Sequence, residues 1–515
     1  MFIIVNIFWF MLPPLEVKVL DINSEFYGVK TSLLMENAGK TVAEFVTKNF
    51  PNKRNLLFFC GTGNNGGDGF VAARYLAKRY KISLVLLGGK NKIKTKIAKE
   101  NFEKLKNYKI GIFELDKLSQ DKLDHLIRDA DIILDAMLGI GISGEPREPF
   151  RSIIEKVNSS KKTVISIDVP TGFGSKISIK PDVTITFHDV KEGINEKNSG
   201  RIIIADIGIP EKAVKFVGPG ELVVYYPRPM ETSHKGENGV VLVIGGGPYI
   251  GAPALSGLAS LRVGVDLVYI ATPKRAARAI TSFSPLLIKP KRLAQGIAKL
   301  APNLIVKELK SDEEKLCPSD VDSILGLISK SDAVVIGPGL GRGESTEKAV
   351  IELVRICIKK DKAIVIDADA IEAVSGGFTF HHKCVVTPHV GEFYKLTRVR
   401  LTGNIEEKMN MVKKFAERLN TTILLKGYID IISDGTKVKL NDVHNPAMTV
   451  GGTGDVLAGM VGGLLAKKVM PFNAARIGAF VNGYAGNLAF RSGSYGMVAT
   501  DIIDKIPNVL KRFLR

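Results

Sequence analysis

Cysteine is scarce in this chain of 515 residues: Cys60, Cys317, Cys357 and Cys384 lie far apart and form no C-x-x-C pair. Neither a zinc site nor a disulfide framework is expected, and a reducing, cytoplasmic setting fits. Long apolar runs are scarce too. The opening MFIIVNIFWFM is apolar but short for a membrane span, and it lacks a basic n-region and a small-residue cleavage site, so no membrane partner is expected. Met11 is read as the native start and the first ten residues as a gene-call artefact; an intact mass from the native source beginning at Met1 would contradict this. Acidic residues are in deficit, 53 Asp and Glu against 72 Lys and Arg, which leaves a formal charge of +19. Such a field attracts anions in general. It does not specify nucleic acid, because no zinc-finger, RNP or basic-zipper pattern accompanies it. The densest basic stretch, Lys90 to Lys109, interleaves Ile93, Ile97, Phe102 and Leu105 at helical spacing, which predicts a solvated helix face.

What is present describes a globular enzyme of more than one domain. The chain is 45% hydrophobic and 24% charged, with 51 glycines against 23 prolines, a composition of many tight turns. From about residue 16 to 225, short β-branched runs alternate with amphipathic helices: Leu56 to Cys60, Ile82 to Leu87, Ile132 to Leu134, Val164 to Ile167, Val183 to Phe187 and Ile202 to Ala205. This alternation predicts an α/β fold, a Rossmann-like doubly wound parallel sheet with ligands beyond the carboxyl ends of its strands. The Pro- and Gly-rich segment Tyr225 to Gly239 separates it from a second alternation that begins at Val240 to Ile244 and ends in a helical tail. The expected domains are 11–225 and 239–515, with a linker at 226–238.

The run Gly61-Thr62-Gly63-Asn64-Asn65-Gly66-Gly67-Asp68-Gly69 directly follows a strand and opens a helix. Glycines there let backbone N–H groups approach a phosphate. As a bare G-x-G-x-x-G it would suggest a dehydrogenase, but the acidic ribose anchor about 20 residues on is missing, since Leu84 to Leu87 runs into Gly88-Gly89-Lys90. Asn64, Asn65 and Asp68 add hard oxygen ligands suited to a cation. Together with Leu34-Met35-Glu36-Asn37-Ala38-Gly39, Asp135-Ala136-Met137-Leu138-Gly139-Ile140-Gly141 and Ile167-Asp168-Val169-Pro170-Thr171-Gly172, this string resembles the NAD(P)H-hydrate epimerase family over nearly all of the first half. The resemblance implies that Asn64, Asn65, Gly66, Gly67 and Asp68, with Gly139, Ile140, Gly141, Ile142, Ser143, Gly144 and Glu145, cradle the hydrated nucleotide. It further implies a potassium ion on Asn65, Asp135 and Thr171, and Asp168 as the acid/base at the hydrated ring carbon. By itself an Asp after a β-run also reads as a plain helix or turn cap.

Near the C-terminus, Val450-Gly451-Gly452-Thr453-Gly454-Asp455 leads into a helix, where exposed N–H groups can stabilise a transferring phosphoryl group and Asp455 can accept a hydroxyl proton. The segment resembles ribokinase-like enzymes. With His234-Lys235-Gly236, Gly251-Ala252-Pro253-Ala254, Gly337-Pro338-Gly339-Leu340-Gly341, Thr387-Pro388-His389-Val390-Gly391-Glu392 and Leu425-Lys426-Gly427, it looks like the NAD(P)H-hydrate dehydratase family over most of residues 232–510, a ribokinase-like α/β domain. The resemblance implies phosphorylation of the S hydrate by ADP, then elimination of phosphate, with magnesium in the site. Ala252, Gly341, His389 and Asp455 would face the substrate, and Lys426, Gly427, Tyr428, Ile429, Asp430 and Gly454 the adenine nucleotide. The family usually has Gly-Thr after Lys-Gly; Tyr428-Ile429 departs from that. Outside the motif His389 would read as a buried strand-end histidine, Glu392 either orients it or contacts magnesium, and Asp367 is taken as supporting.

The expected partners are hydrated NADH or NADPH, ADP and further copies of the chain in a homo-oligomer. Three other readings compete: a ribokinase-like kinase of a small alcohol, a non-catalytic dinucleotide sensor, and a nicotinamide-dependent dehydrogenase.

Overall fold

The computed structural model describes residues 11–141, 144–282, 303–376 and 378–514, which fall into two compact units, one up to Val214 and one from Lys215. Residues 1–10, with the Met11-start reading, and the expected ligands Ile142 and Ser143 lie outside the described residues.

The first unit is built on seven parallel strands: β1 (Asn55–Cys60), β2 (Lys81–Leu86), β3 (Ile110–Glu114), β4 (Ile132–Ala136), β5 (Thr163–Ile167), β6 (Val183–Phe187) and β7 (Arg201–Ala205). Their order is β3-β2-β1-β4-β5-β6-β7, the expected doubly wound arrangement with its switch point between β1 and β4. Alternate residues of β1 enter different cores, Leu56, Phe58 and Cys60 on one face, Leu57 and Phe59 on the other. Both faces are covered by helices, and the strands accordingly read as unbroken apolar runs. The basic stretch forms the helix Lys96–Lys104 with short 3-10 turns before and after, and Ala98 and Leu105 are buried while its lysines stay in solvent.

The second unit has nine strands: β8 (Val240–Ile244), β9 (Leu267–Pro273), β10 (Ile305–Leu309), β11 (Ala333–Ile336), β12 (Ala363–Ile366), β13 (Cys384–Val386), β14 (Thr422–Leu425), β15 (Asp430–Ser433) and β16 (Val438–Asn441). They run β10-β9-β8-β11-β12-β13-β14-β15-β16, parallel through β14 and antiparallel in the last two pairs. The switch point here lies between β8 and β11.

The expected domain boundary needs correction. The helix Pro219–Tyr225 belongs to the second unit: Leu222 is in that unit's core, the Val217 N–H donates to the Leu440 carbonyl at 2.8 Å, and Glu221 pairs with Arg476 at 2.8 Å with both side chains buried. A change of composition marks where the chain is exposed, whereas the boundary follows what this helix packs on.

Candidate functional sites at the two sheet switch points

In the first unit, the loops after β1 and β4 touch. The Gly61 N–H donates to the Ala136 carbonyl at 3.0 Å, and a Cβ on Gly61 would lie 1.9 Å from the Met137 carbonyl oxygen. Only glycine permits that approach. The helix Asn64–Leu76 starts immediately afterwards, and a cavity of about 1180 Å³ opens beyond the strand ends. Asn64, Asn65, Asp68, Gly139, Ile140, Gly141 and Asp168 all line it. Gly66 and Gly67 do not: a Cβ on Gly66 would strike the Gly61 carbonyl, and one on Gly67 would strike Met35, so these two glycines serve close packing. Glu145 is also turned elsewhere, its Oε1 accepting the Lys176 N–H at 3.0 Å.

Asp168 adopts φ +67°, in the left-handed region that aspartate enters more readily than most residues. Its Oδ1 lies 2.6 Å from the Lys191 ammonium, itself buried and donating to the Phe187 carbonyl at 2.6 Å. Behind the cavity wall, Asp135 accepts from Thr171 Oγ1 at 2.6 Å, Thr171 N at 2.8 Å and Ser166 Oγ at 2.9 Å, and burial raises its carboxyl above the ordinary range. Asn65 stands apart. It is buried, yet neither its amide nitrogen nor its oxygen has a partner among the described residues. A buried unpaired amide costs about 1–3 kcal/mol, which a bound water, ion or ligand would relieve.

Among the cavity residues that sequence reasoning missed are Lys191 and Asp21. The segment before the first helix reaches Lys191 by strand-like pairing, the Leu12 N–H donating to the Val190 carbonyl at 2.9 Å and the Glu192 N–H to Leu12 at 3.1 Å. That pairing anchors the helix Pro14–Phe26 and with it Asp21.

The second unit repeats the arrangement at its own switch point, where a Cβ on Gly245 would lie 2.4 Å from the Pro338 carbonyl oxygen. Gly452 takes φ +94° and caps the helix Thr453–Ala466, which presents Asp455 in its first turn. This helix packs backbone to backbone on Ala252–Arg262: a Cβ on Gly459 would lie 2.1 Å from the Ser256 carbonyl oxygen, and Ser256 Oγ donates to the Asp455 carbonyl at 2.8 Å. Across from it, Asp367 is buried and accepts from Thr387 Oγ1 at 2.7 Å and Lys426 Nζ at 2.8 Å; Ala368 follows at φ +49°, and Asp369 accepts the Gly341 N–H at 2.9 Å.

The Lys426 ammonium also lies 3.9 Å from Glu392 and about a side-chain contact from Gly454. Burial alone would depress it, but Asp367 and Glu392 outweigh burial and hold it above the ordinary lysine value. Asp455 is pushed up to about 7, first by burial and then by Asp367, with Lys426 pulling the other way. His389 caps the helix Val390–Thr397, its Nδ1 accepting the Gly391 N–H at 2.9 Å while Glu392 accepts the His389 N–H at 2.8 Å, so Glu392 is engaged in fixing this turn. Of the expected nucleotide loop, Asp430 is half-buried and bonded to Asn441 and the Gly427 N–H, whereas Tyr428 is exposed, its ring edge-on to His444. Among the described residues no three His, Cys, Asp or Glu side chains form a metal-binding group.

A family model described as NAD(P)H-hydrate dehydratase matches residues 240–508, and one described as YjeF-related protein N-terminus matches residues 31–193. The bifunctional NAD(P)H-hydrate repair enzyme of Methanothermobacter thermautotrophicus is 38% identical, over 97% of this chain and 95% of its own. That of Methanocaldococcus jannaschii is 40% identical, over 98% and 94%. The chain belongs to the bifunctional NAD(P)H-hydrate repair enzyme family. A solved ADP/ATP-dependent NAD(P)H-hydrate dehydratase from Bacillus subtilis, co-crystallized with ATP and Mg2+, is 26% identical, covers 58% of this chain and 98% of its own, and has a TM-score of 0.48.

As a repair enzyme of this family, the chain carries an epimerase domain and a dehydratase domain, each with its strand-end loops on glycines that admit close backbone approach. The dehydrogenase, sensor and small-alcohol kinase readings give way to this family. No helix among the described residues is long and apolar enough to cross a membrane.

Proposed function

We propose that the first unit interconverts the R and S hydrates of NADH and NADPH, and that the second dehydrates the S hydrate at the expense of ADP, giving NAD(P)H, AMP and phosphate. The observation that carries this reading is that each unit presents an aspartate on its site loops with a lysine near it: Asp168 lies 2.6 Å from Lys191, and Asp455 shares its site with Lys426. In the epimerase, Asp168 would move protons at the hydrated ring carbon while the loops at Asn64 to Asp68 and Gly139 to Gly141 receive the nucleotide. Asn65, with its unpaired buried amide, would join Asp135 and Thr171 in holding a potassium ion, which would supply a fixed positive charge behind the loop.

In the dehydratase, Asp455 would take the proton of the ring hydroxyl as that oxygen attacks the β-phosphorus of ADP, and the bond to the departing AMP oxygen breaks. Loss of phosphate and of a ring proton then restores the nicotinamide double bond. Ala252, Gly341 and His389 would face the substrate, and the Lys426–Asp430 loop with Gly454 the nucleotide. Magnesium would be held chiefly by the nucleotide's own phosphates, which suits a site without a three-ligand protein cage.

Two variants test the division of labour. Asp455→Asn abolishes dehydration of the S hydrate and leaves epimerisation intact, and Asp168→Asn does the reverse. Loss of both activities in either folded variant overturns the assignment.

A further inference from the structure

The ring carbon can invert if the C–O bond breaks on one face and water adds on the other, and by that route two acid/base groups, one on each face, serve the two events. The epimerase cavity offers more than one. Asp21 reaches its wall from the helix Pro14–Phe26 and Asp168 from the turn after β5, with Lys191 beside Asp168. The same cavity is lined by Asn65, the buried, unpaired amide given above to the potassium ion.

We propose that Asp21 is the second catalytic carboxyl of the epimerase, paired with Asp168; this rests on the epimerase reading of the first unit. One carboxyl gives its proton to the ring hydroxyl, which departs as water with the C–O electrons while the ring nitrogen's lone pair forms a C=N bond. Water then adds to the other face, and its surplus proton passes to the second carboxyl. The balance is one water out, one water in and one proton moved between carboxyls, with no redox change. The Lys191 ammonium, 2.6 Å from its Oδ1, fixes the Asp168 carboxyl at the cavity wall. Asp21 is suited to carry the proton: burial, then the charge of Asp168, push it up to about 6, with Lys191 pulling back. The other charged or titratable groups that line the cavity are Lys18, on the same helix as Asp21, with Asp68, Lys92, Lys94, Asp116, Glu148, Lys156 and His188. Burial raises Asp68 well above the ordinary range, followed by the charges of Asp168 and Asp21.

The test is the pH dependence of R-to-S conversion, followed on purified R hydrate in the full-length protein and in Asp21→Asn. The wild-type kcat/KM is expected to fall as pH rises through about 6, as the proton leaves Asp21. Asp21→Asn is expected to lose about 100-fold in kcat, the usual scale of a general acid or base, with KM within about threefold and the basic limb gone. A variant as active as wild type with its limb intact overturns the proposal. So does a loss confined to KM, or one that leaves the limb in place. Should Asp21→Asn fail to fold, the wild-type profile decides, and a flat profile from pH 5 to 8 rejects the assignment. A wild-type protein that does not epimerise at all refutes the epimerase reading itself, an outcome distinct from an active Asp21→Asn.

Discussion

Asp455 has to be ionised to accept a proton, yet its surroundings oppose ionisation: burial and the charge of Asp367 raise it from 3.8 to about 7. The kcat/KM for dehydration is therefore expected to climb about tenfold per pH unit on the acid side and level off above about pH 7. A profile flat down to pH 5 would show that Asp455 is not the base. The same shift has a cost in stability. Between pH 4 and 7 the unfolded aspartate is ionised while the folded one keeps its proton, so its contribution is greatest at low pH and is lost as pH rises through 7. Asp455→Asn, though inactive, is expected to be more stable than wild type at pH 8 by on the order of 1 kcal/mol in urea melts. Asp455 was legible in the sequence because its glycines and helix are contiguous. Asp168 was legible for the same reason, as the last step of a strand. Asp21 and Lys191 carried no local signature; the pairing of Leu12 with Val190 brings them to the cavity, and pairing across 178 residues leaves no mark on either neighbourhood.

Among elements, the contact between the helices Ala252–Arg262 and Thr453–Ala466 does most to place the dehydratase aspartate. A methyl on Gly459 cannot coexist with the Ser256 carbonyl oxygen 2.1 Å away, so the helices must separate. Gly459→Ala is expected to lower the dehydratase kcat at least about tenfold and destabilise the second unit by about 1–3 kcal/mol, with epimerisation unchanged. Unaltered dehydration would show that this contact does not set the position of Asp455. The central strands were readable because burial on both faces makes them apolar throughout. The edges were not: β3 is half exposed and contains Gly111, β10 alternates exposed and covered residues, and β15 and β16 form a short hairpin turned at Gly435, φ +91°. Edge strands satisfy fewer neighbours, so fewer of their positions must be apolar. At Gly66 and Gly67 a glycine string conceals a packing role, since a Cβ on either would strike Gly61 or Met35.

For the whole molecule, two sheets with separate cores carry two reactions on one substrate pool, and the formal charge of +19 favours the capture of polyanionic nucleotides by either unit. The most direct test is recovery of the reduced-nicotinamide absorbance when purified protein meets a mixture of R and S hydrates, with ADP, with ATP and with neither, in potassium and magnesium buffer. The account predicts recovery of the full amount with ADP and none without a nucleotide. Recovery that stops at the S fraction would contradict the epimerase assignment, and no recovery with either nucleotide would contradict the repair function as a whole.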